Sequence, residues 1–283
     1  MAHLRFLRAA AVIVVGLAAM WTALALAQSA PSAPPSKPEM TQSCPGLVAA
    51  DAPRAIPAAF KFAALAGDQV RITYIGHATF LIESPQLVRI ATDYNDYVRP
   101  VVLPDIITMN HAHSTHYSDH PDPGIKHVLR GWRDDGQPSG YDITFQDVRV
   151  RSVSTNIRDL SGGTERYGNS IFIFEIAGLC IAHLGHLHHT LTQQQLDELG
   201  RVDVVFVPVD GSYTLDLDGM LEVLQSLKAP LIIPMHFFSS YTLDRFLARV
   251  RDQYPVEFNE TPAFVVSKST LPSAPKIFVL PGR

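Results

Sequence analysis

The sequence predicts an α+β fold, on three observations. The first half is a series of short β-branched or apolar runs parted by turn residues. The second half changes period and alternates strand with helix. The chain is also long and apolar enough for a full core, with 283 residues that are 47% hydrophobic and 18% charged.

The first segment is read apart from the fold. Arg5 and Arg8 precede an 18-residue apolar run, 9–26, broken only by Thr22. Ala25-Leu26-Ala27 then has the small-x-small form of a cleavage site. Residues 1–27 are therefore expected to be a secretory signal peptide, and the protein periplasmic or secreted, without stable membrane insertion after cleavage. Residues 28–69 read as a Pro/Ala/Ser-rich tether, with seven of the 21 prolines between Pro31 and Pro57. The domain is expected over 70–283.

Strands are expected at 70–75, 79–83 and 87–92, separated by Gly76 and by Ser84-Pro85. A buried run follows at 105–109. The pairs 141–145 with 148–153 and 170–176 with 179–183 read as hairpins, turned by Gln146-Asp147 and Ala177-Gly178. The period then shifts. Thr192 and Gln195 form a capping box, and Gly200 is placed to end that helix. A strand at 202–207 precedes a helix marked by Leu217, Met220, Leu221, Leu224 and Leu227. A strand at 231–235 precedes another marked by Leu243, Phe246, Leu247 and Val250.

Composition excludes several classes. The net charge of −4, or −6 without residues 1–27, opposes a nucleic-acid protein held by phosphate contacts. Two cysteines exclude a disulfide framework and a zinc site built from four cysteines. A Cys44–Cys180 pair is not expected, because Cys44 sits in the Pro-rich stretch. No Gly-x-Ser-x-Gly elbow supports a serine nucleophile.

The chemistry concentrates in the 12 histidines. His111, His113 and His116 follow the strand at 105–109. In extended backbone, residues two apart point the same way, and a turn can return His116 beside them. Converging neutral imidazoles suit a borderline metal such as zinc; a polar surface loop that happens to hold three histidines is the other reading. His183, His186 and His236 also end apolar strands, where a sheet fixes functional loops. His120, His127, His188 and His189 are read as surface residues.

Taken in order, Gly76-His77-Ala78-Thr79-Phe80-Leu81-Ile82-Glu83, Thr92-Asp93, His111-x-His113-x-x-His116, His183-Leu184-Gly185-His186 and Pro234-Met235-His236 resemble the metallo-β-lactamase superfamily. The nearest resemblance is to its ascorbate-phosphate-lactonase-like hydrolase branch, over about residues 70–250. It implies a four-layer αβ/βα sandwich with a metal site on the rim between two sheets. It also implies zinc hydrolysis of a small-molecule ester, lactone, amide or phosphoester by a zinc-bound hydroxide. The implied ligands are His111, His113, His116, His186 and His236. Asp93 and His77 stand behind them, and Thr115, His116 or Asn156 is placed to act on the water or its proton. Arg166, Asn169 and the 210–213 loop are candidate substrate contacts.

Three ligand positions depart from the family pattern. Thr115 stands for an aspartate, Asn156 for a mid-chain histidine, and His186 for the bridging aspartate. Both carboxylates are thereby lost. Two divalent ions about 3.5 Å apart repel by roughly 19 kcal/mol at an effective dielectric of 20, so one zinc is expected rather than two. The alternative is a binding protein on this fold that has lost turnover.

Overall fold

The computed structural model describes residues 64–159 and 161–282. The expected signal peptide and most of the tether lie outside the described residues. Regular structure begins with β1 (Gln69–Gly76), where every second residue is buried, followed by β2 (Thr79–Glu83) and β3 (Arg89–Ala91). The first sheet adds β4 (Ile106–Met109), β5 (His127–Arg130) and, much later, β13 (Ala263–Ser267). Its order is β13-β1-β2-β3-β4-β5. Pairing is antiparallel through β3 and parallel from β3 to β5.

The second sheet contains β6 (Asp142–Phe145), β7 (Val148–Arg158), β8 (Thr164–Ile176), β9 (Leu179–His183), β10 (Val204–Pro208), β11 (Leu231–Met235), β12 (Val256–Phe258) and β14 (Lys276–Val279). Its order is β12-β14-β11-β10-β9-β8-β7-β6. Pairing is parallel from β12 to β9 and antiparallel from β9 to β6. β7 and β8 run well past the expected 148–153 and 170–176, because cross-strand pairing carries polar residues as far as Arg158 and Thr164.

Side chains alternate across the second sheet with the period of two that strands impose. Phe172, Phe174, Val204, Phe206 and Ile233 face the first sheet and meet Ile72, Phe80 and Ile90. Phe80 stacks on Phe206 with ring centroids 4.0 Å apart. Ile171, Ile173, Val205, Val207 and Ile232 face the opposite way, onto α1 (Gln193–Leu199), α2 (Leu217–Leu227) and α3 (Ser240–Val250). This is an α+β sandwich of two mixed sheets with helices packed on the second. The outer face of the first sheet is covered through Ala91, Tyr94, Ile107, Met109 and Ile125, with Tyr117 and Trp132 against them.

The helix starts follow local chemistry. Thr192 accepts from the Gln195 N–H while the Gln195 side chain accepts from the Thr192 N–H, and Gly200 ends the helix at φ 67°. Such a cap contributes about 1 kcal/mol. Asp216 caps α2 at Gly219, and Ser239 caps α3 at Thr242. Cys180, fully buried on β9, is disulfide-bonded, while Cys44 and the expectation placed on it lie outside the described residues.

Candidate metal centre

β1, β3 and β4 share one direction in the first sheet, and β9, β10 and β11 share one in the second. Their carboxyl ends supply His77, Asp93, the 110–116 loop, His186, Asp210 and His236. The two rims are tied together. The His236 N–H donates to the His77 carbonyl at 2.8 Å, and His183 Nε2 donates to the Ala78 carbonyl at 2.8 Å. His183 Nδ1 accepts from the Gly185 N–H, so its hydrogen sits on Nε2. This fully buried histidine joins the sheets and is committed away from any ion.

Four imidazoles converge. His113, His116, His186 and His236 offer ligand atoms that all lie within 4.8 Å of one another. His113 Nε2 is 3.0 Å from His186 Nε2, and His116 Nε2 is 3.1 Å from His236 Nε2. At a zinc–nitrogen length of about 2.1 Å, two ligands on one ion stand about 3.0–3.4 Å apart when adjacent and no more than about 4.2 Å. The close pairs fit one ion, and the widest, within 4.8 Å, must close by about 1.4 Å for a tetrahedral set of four.

Each of the four is held from behind at Nδ1. Asp93 Oδ2 faces His116 Nδ1 at 2.5 Å, and Asp210 Oδ1 faces His236 Nδ1 at 3.0 Å. Thr115 Oγ1 lies 2.7 Å from His113 Nδ1, and His188 Nε2 lies 2.6 Å from His186 Nδ1. Outer partners of this kind orient metal-ligating imidazoles and set their tautomers. A carboxylate only accepts, so His116 and His236 carry their hydrogens on Nδ1. Their Nε2 atoms, 3.1 Å apart, are then the positions left for a ligand bond. The donor set therefore fits a metal ion.

His186 is arranged differently. The Arg158 N–H donates to His188 Nδ1, so a neutral His188 donates from Nε2 to His186 Nδ1. His186 then keeps its hydrogen on Nε2, pointed at His113. Ligation by His186 must displace one proton from this pair, whereas His116 and His236 are already prepared.

Burial dominates the electrostatics around the cluster. Burial, followed by repulsion from neighbouring histidines, holds His116 and His186 well below the ordinary imidazole range. His77 falls to about 3, through burial and then His236 and His113. His188 falls to about 4, through burial and then Arg158. Burial raises Asp93 to about 6. Burial also pushes Asp210 up, but hydrogen bonds from His236, Thr214 and the Ser212 N–H outweigh it and hold this carboxyl below the ordinary range. At neutral pH His116 and His186 are therefore unprotonated, the state in which an imidazole binds a cation.

Two buried asparagines fix the rim. Asn110 donates to Asp93 Oδ1 at 2.9 Å and accepts from the Ser170 N–H at 2.7 Å. Asn169 accepts from the His186 N–H at 2.7 Å and donates to Thr155 and the Leu184 carbonyl. Gly185 lies between them at φ 60°, and a Cβ there would stand 2.4 Å from both asparagine side chains. Only glycine fits.

His111 is not in the cluster. The 110–116 segment is a turn rather than extended chain, closed by His116 N–H to the His113 carbonyl at 2.9 Å and Asn110 N–H to the His116 carbonyl at 3.1 Å. The two-residue rule therefore fails. The His111 ring bonds Glu165 Oε1 at 2.6 Å and stacks on Trp132 at 4.9 Å. Asn156 is not there either: at a bulge between β7 and β8 its Oδ1 accepts from the Tyr167 N–H. His188, read from the sequence as a surface residue, is buried behind His186. Its spacing two residues from His186 was the available signal. Asp210 carries more than expected, accepting from His236 and from the Ser212, Tyr213 and Thr214 N–H groups.

Residues 71–236 match the beta-lactamase superfamily domain, a span that runs from β1 to the last clustered histidine. The chain belongs to the beta-lactamase superfamily. A protein of Thermoplasma volcanium named UPF0173 metal-dependent hydrolase is 28% identical over 199 residues, covering 59% of this chain and 83% of the relative. A protein of the same name in Thermoplasma acidophilum is 26% identical over 191 residues, covering 60% and 84%. Among solved structures, a proposed zinc-dependent hydrolase of the metallo-beta-lactamase superfamily from Thermotoga maritima is 30% identical. It has a TM-score of 0.56 and covers 76% of this chain and 100% of that one. A metallo hydrolase of Ignicoccus hospitalis shares the fold at 18% identity, with a TM-score of 0.52 and coverage of 76% and 97%. In this superfamily member, α3 and β12 to β14 lie beyond the matched domain.

Proposed function

We propose that the chain is an exported metal-dependent hydrolase that uses one zinc ion on an ester, lactone, amide or phosphoester bond of a small molecule. One observation carries the reading: four imidazole Nε2 atoms converge while all four Nδ1 atoms are engaged from behind. The metal-dependent hydrolases among its relatives support the same class. Nitrogen donors suit zinc, and their neutrality favours one ion over two. The disulfide at Cys180 accords with an oxidising compartment, as does the signal-like segment 1–27. N-terminal sequencing of the exported form is expected to begin near Gln28.

When bound, the ion supplies Lewis acidity, which acidifies water and polarises the oxygen under attack. The chain's residues do the rest. Asp93 and Asp210 hold the rings of His116 and His236 in the ligating tautomer. Thr115 accepts from His113 Nδ1 and donates to His77 Nε2 at 3.1 Å. His77, half-buried beside the cluster, accepts that hydroxyl at Nε2 and so fixes the Thr115 side chain against His113.

The test is zinc per chain after dialysis, with a panel of esters, lactones and phosphodiesters assayed with and without chelator. One zinc per chain and chelator-sensitive hydrolysis are expected. A second reading also has an observation behind it. Four imidazoles can fill a tetrahedral ion, the closed arrangement of a structural site. One tightly held zinc with no hydrolysis of any panel member would decide for it.

A further inference from the structure

Beside the four histidines stand two large aromatic rings with no core behind them. Phe238 is 58% exposed and Tyr213 is 65% exposed. The Phe238 centroid lies 5.2 Å from that of His236, ring edge to face, and 5.5 Å from that of His77. Tyr213 meets Phe238 edge to face at 5.6 Å. The wall therefore begins at two rings of the site itself.

Both rings are carried by backbone that the site holds in place. His236 adopts φ 57°, turning the chain out of β11 directly before Phe237 and Phe238. Phe237 packs into the core beside Tyr74, and Ser239 starts α3, so Phe238 is fixed on both sides. The Tyr213 N–H donates to Asp210 Oδ2 at 2.5 Å, and Arg158 clasps the Ser212, Tyr213 and Thr214 carbonyls. Loop aromatics held this rigidly present contact area at little entropic cost. Among the described residues, cation–π contacts fall on Tyr94, Trp132, Phe145 and Phe278, and none on Phe238 or Tyr213. The two exposed rings offer a flat apolar surface that suits an apolar group.

We propose that Phe238 and Tyr213 form a substrate subsite that receives an aryl or alkyl group next to the bond hydrolysed at the metal centre, so that the substrates carry an apolar substituent there. This rests on the hydrolase reading above and narrows its substrate class.

The experiment uses two hydroxamic acids that share a metal-binding head, acetohydroxamic and phenylacetohydroxamic acid, titrated calorimetrically into the zinc-loaded full chain. The wild type is expected to prefer the phenyl compound by about tenfold. Phe238→Ala should remove most of that preference and Tyr213→Ala part of it. Acetohydroxamate affinity should stay within about twofold and zinc content unchanged. Equal binding of the two compounds by the wild type, or a preference untouched by Phe238→Ala, would overturn the subsite and leave the hydrolase reading standing. Zinc-loaded protein that binds neither compound would overturn the open metal position, and the subsite with it.

Discussion

Replacing Asp210 with asparagine separates the tautomer of His236 from its position. Asp210 Oδ2 accepts three backbone N–H groups, from Ser212 at 3.0 Å, Tyr213 at 2.5 Å and Thr214 at 3.3 Å. Oδ1 accepts from His236 Nδ1 and the Thr214 hydroxyl. An asparagine amide can satisfy the three N–H groups only with its carbonyl oxygen, so its NH2 must occupy the Oδ1 side. There the Thr214 hydroxyl can turn to accept, but His236 Nδ1 must give up its hydrogen. The imidazole proton moves to Nε2, and a ligand becomes a donor aimed at the ion. Loss of an outer partner typically lowers metal affinity 10–100-fold, about 1.4–2.7 kcal/mol, and an inverted tautomer should lie at the upper end. Zinc affinity is measured at pH 7.5 by competition with a chromophoric chelator. The zinc-free variant should melt within a few degrees of the wild type, since every loop donor stays paired. Asp210→Asn protein with unchanged zinc affinity and an intact loop would refute the tautomer reasoning.

Three further outcomes follow from the same geometry. His111→Ala should keep the wild-type zinc stoichiometry, while His113→Ala should weaken binding by tenfold or more; equal losses in the same chelator competition would return His111 to the site. The zinc-free protein should lose stability as pH falls from about 6.5 toward 3, because folded His77 and His188, at about 3 and 4, resist the protons that the unfolded chain takes up. Each such group contributes up to about 1.4 kcal/mol per pH unit, and Asp93, raised to about 6, offsets only part of this as it becomes neutral. Urea melts at pH 7.5, 6 and 5 check the sign, and a midpoint that rises on acidification would contradict it. Gly185→Ala should destabilise by about 2–4 kcal/mol in a urea melt at pH 7.5, from positive φ and the clash with Asn110 and Asn169.

Elements with strong local signals were legible in the sequence. The capping box at Thr192 and Gln195, the leucine spacing of α2 and the apolar runs of β9 to β11 each point one way, and each forms. β5 and β12 to β14 were not legible. They are three to five residues long, and neighbours supplied by the fold decide them. The site divides along the same line. His236 and His186 could be placed because a strand end limits where the next side chain goes. His111 and Asn156 could not, because one lies in a turn and the other at a bulge, where alternation fails. His188 was lost to its neighbourhood, since His188-His189 reads as polar loop until the Arg158 N–H is brought against it.

The rim also holds backbone strain where the chemistry sits. His77, Asp93 and His236 have φ values of 51°, 41° and 57°, a region that costs a non-glycine residue on the order of 1–3 kcal/mol. Each conformation serves the cluster. At His77 it turns β1 into β2 so that its carbonyl takes the His236 N–H. At Asp93 it aims one carboxylate oxygen at His116 and the other at Asn110. At His236 it turns Nδ1 to Asp210 while the next residue returns to the core. None of these contacts stabilises enough alone, since a buried hydrogen bond contributes about 1 kcal/mol net. The two sheets over-determine them together: Phe80 on Phe206 and the His183 bridge to Ala78 hold both rims independently of the loops. The four imidazoles are thus held near one another by the fold, and bringing up an ion needs side-chain shifts and one proton released at His186 rather than assembly of the site.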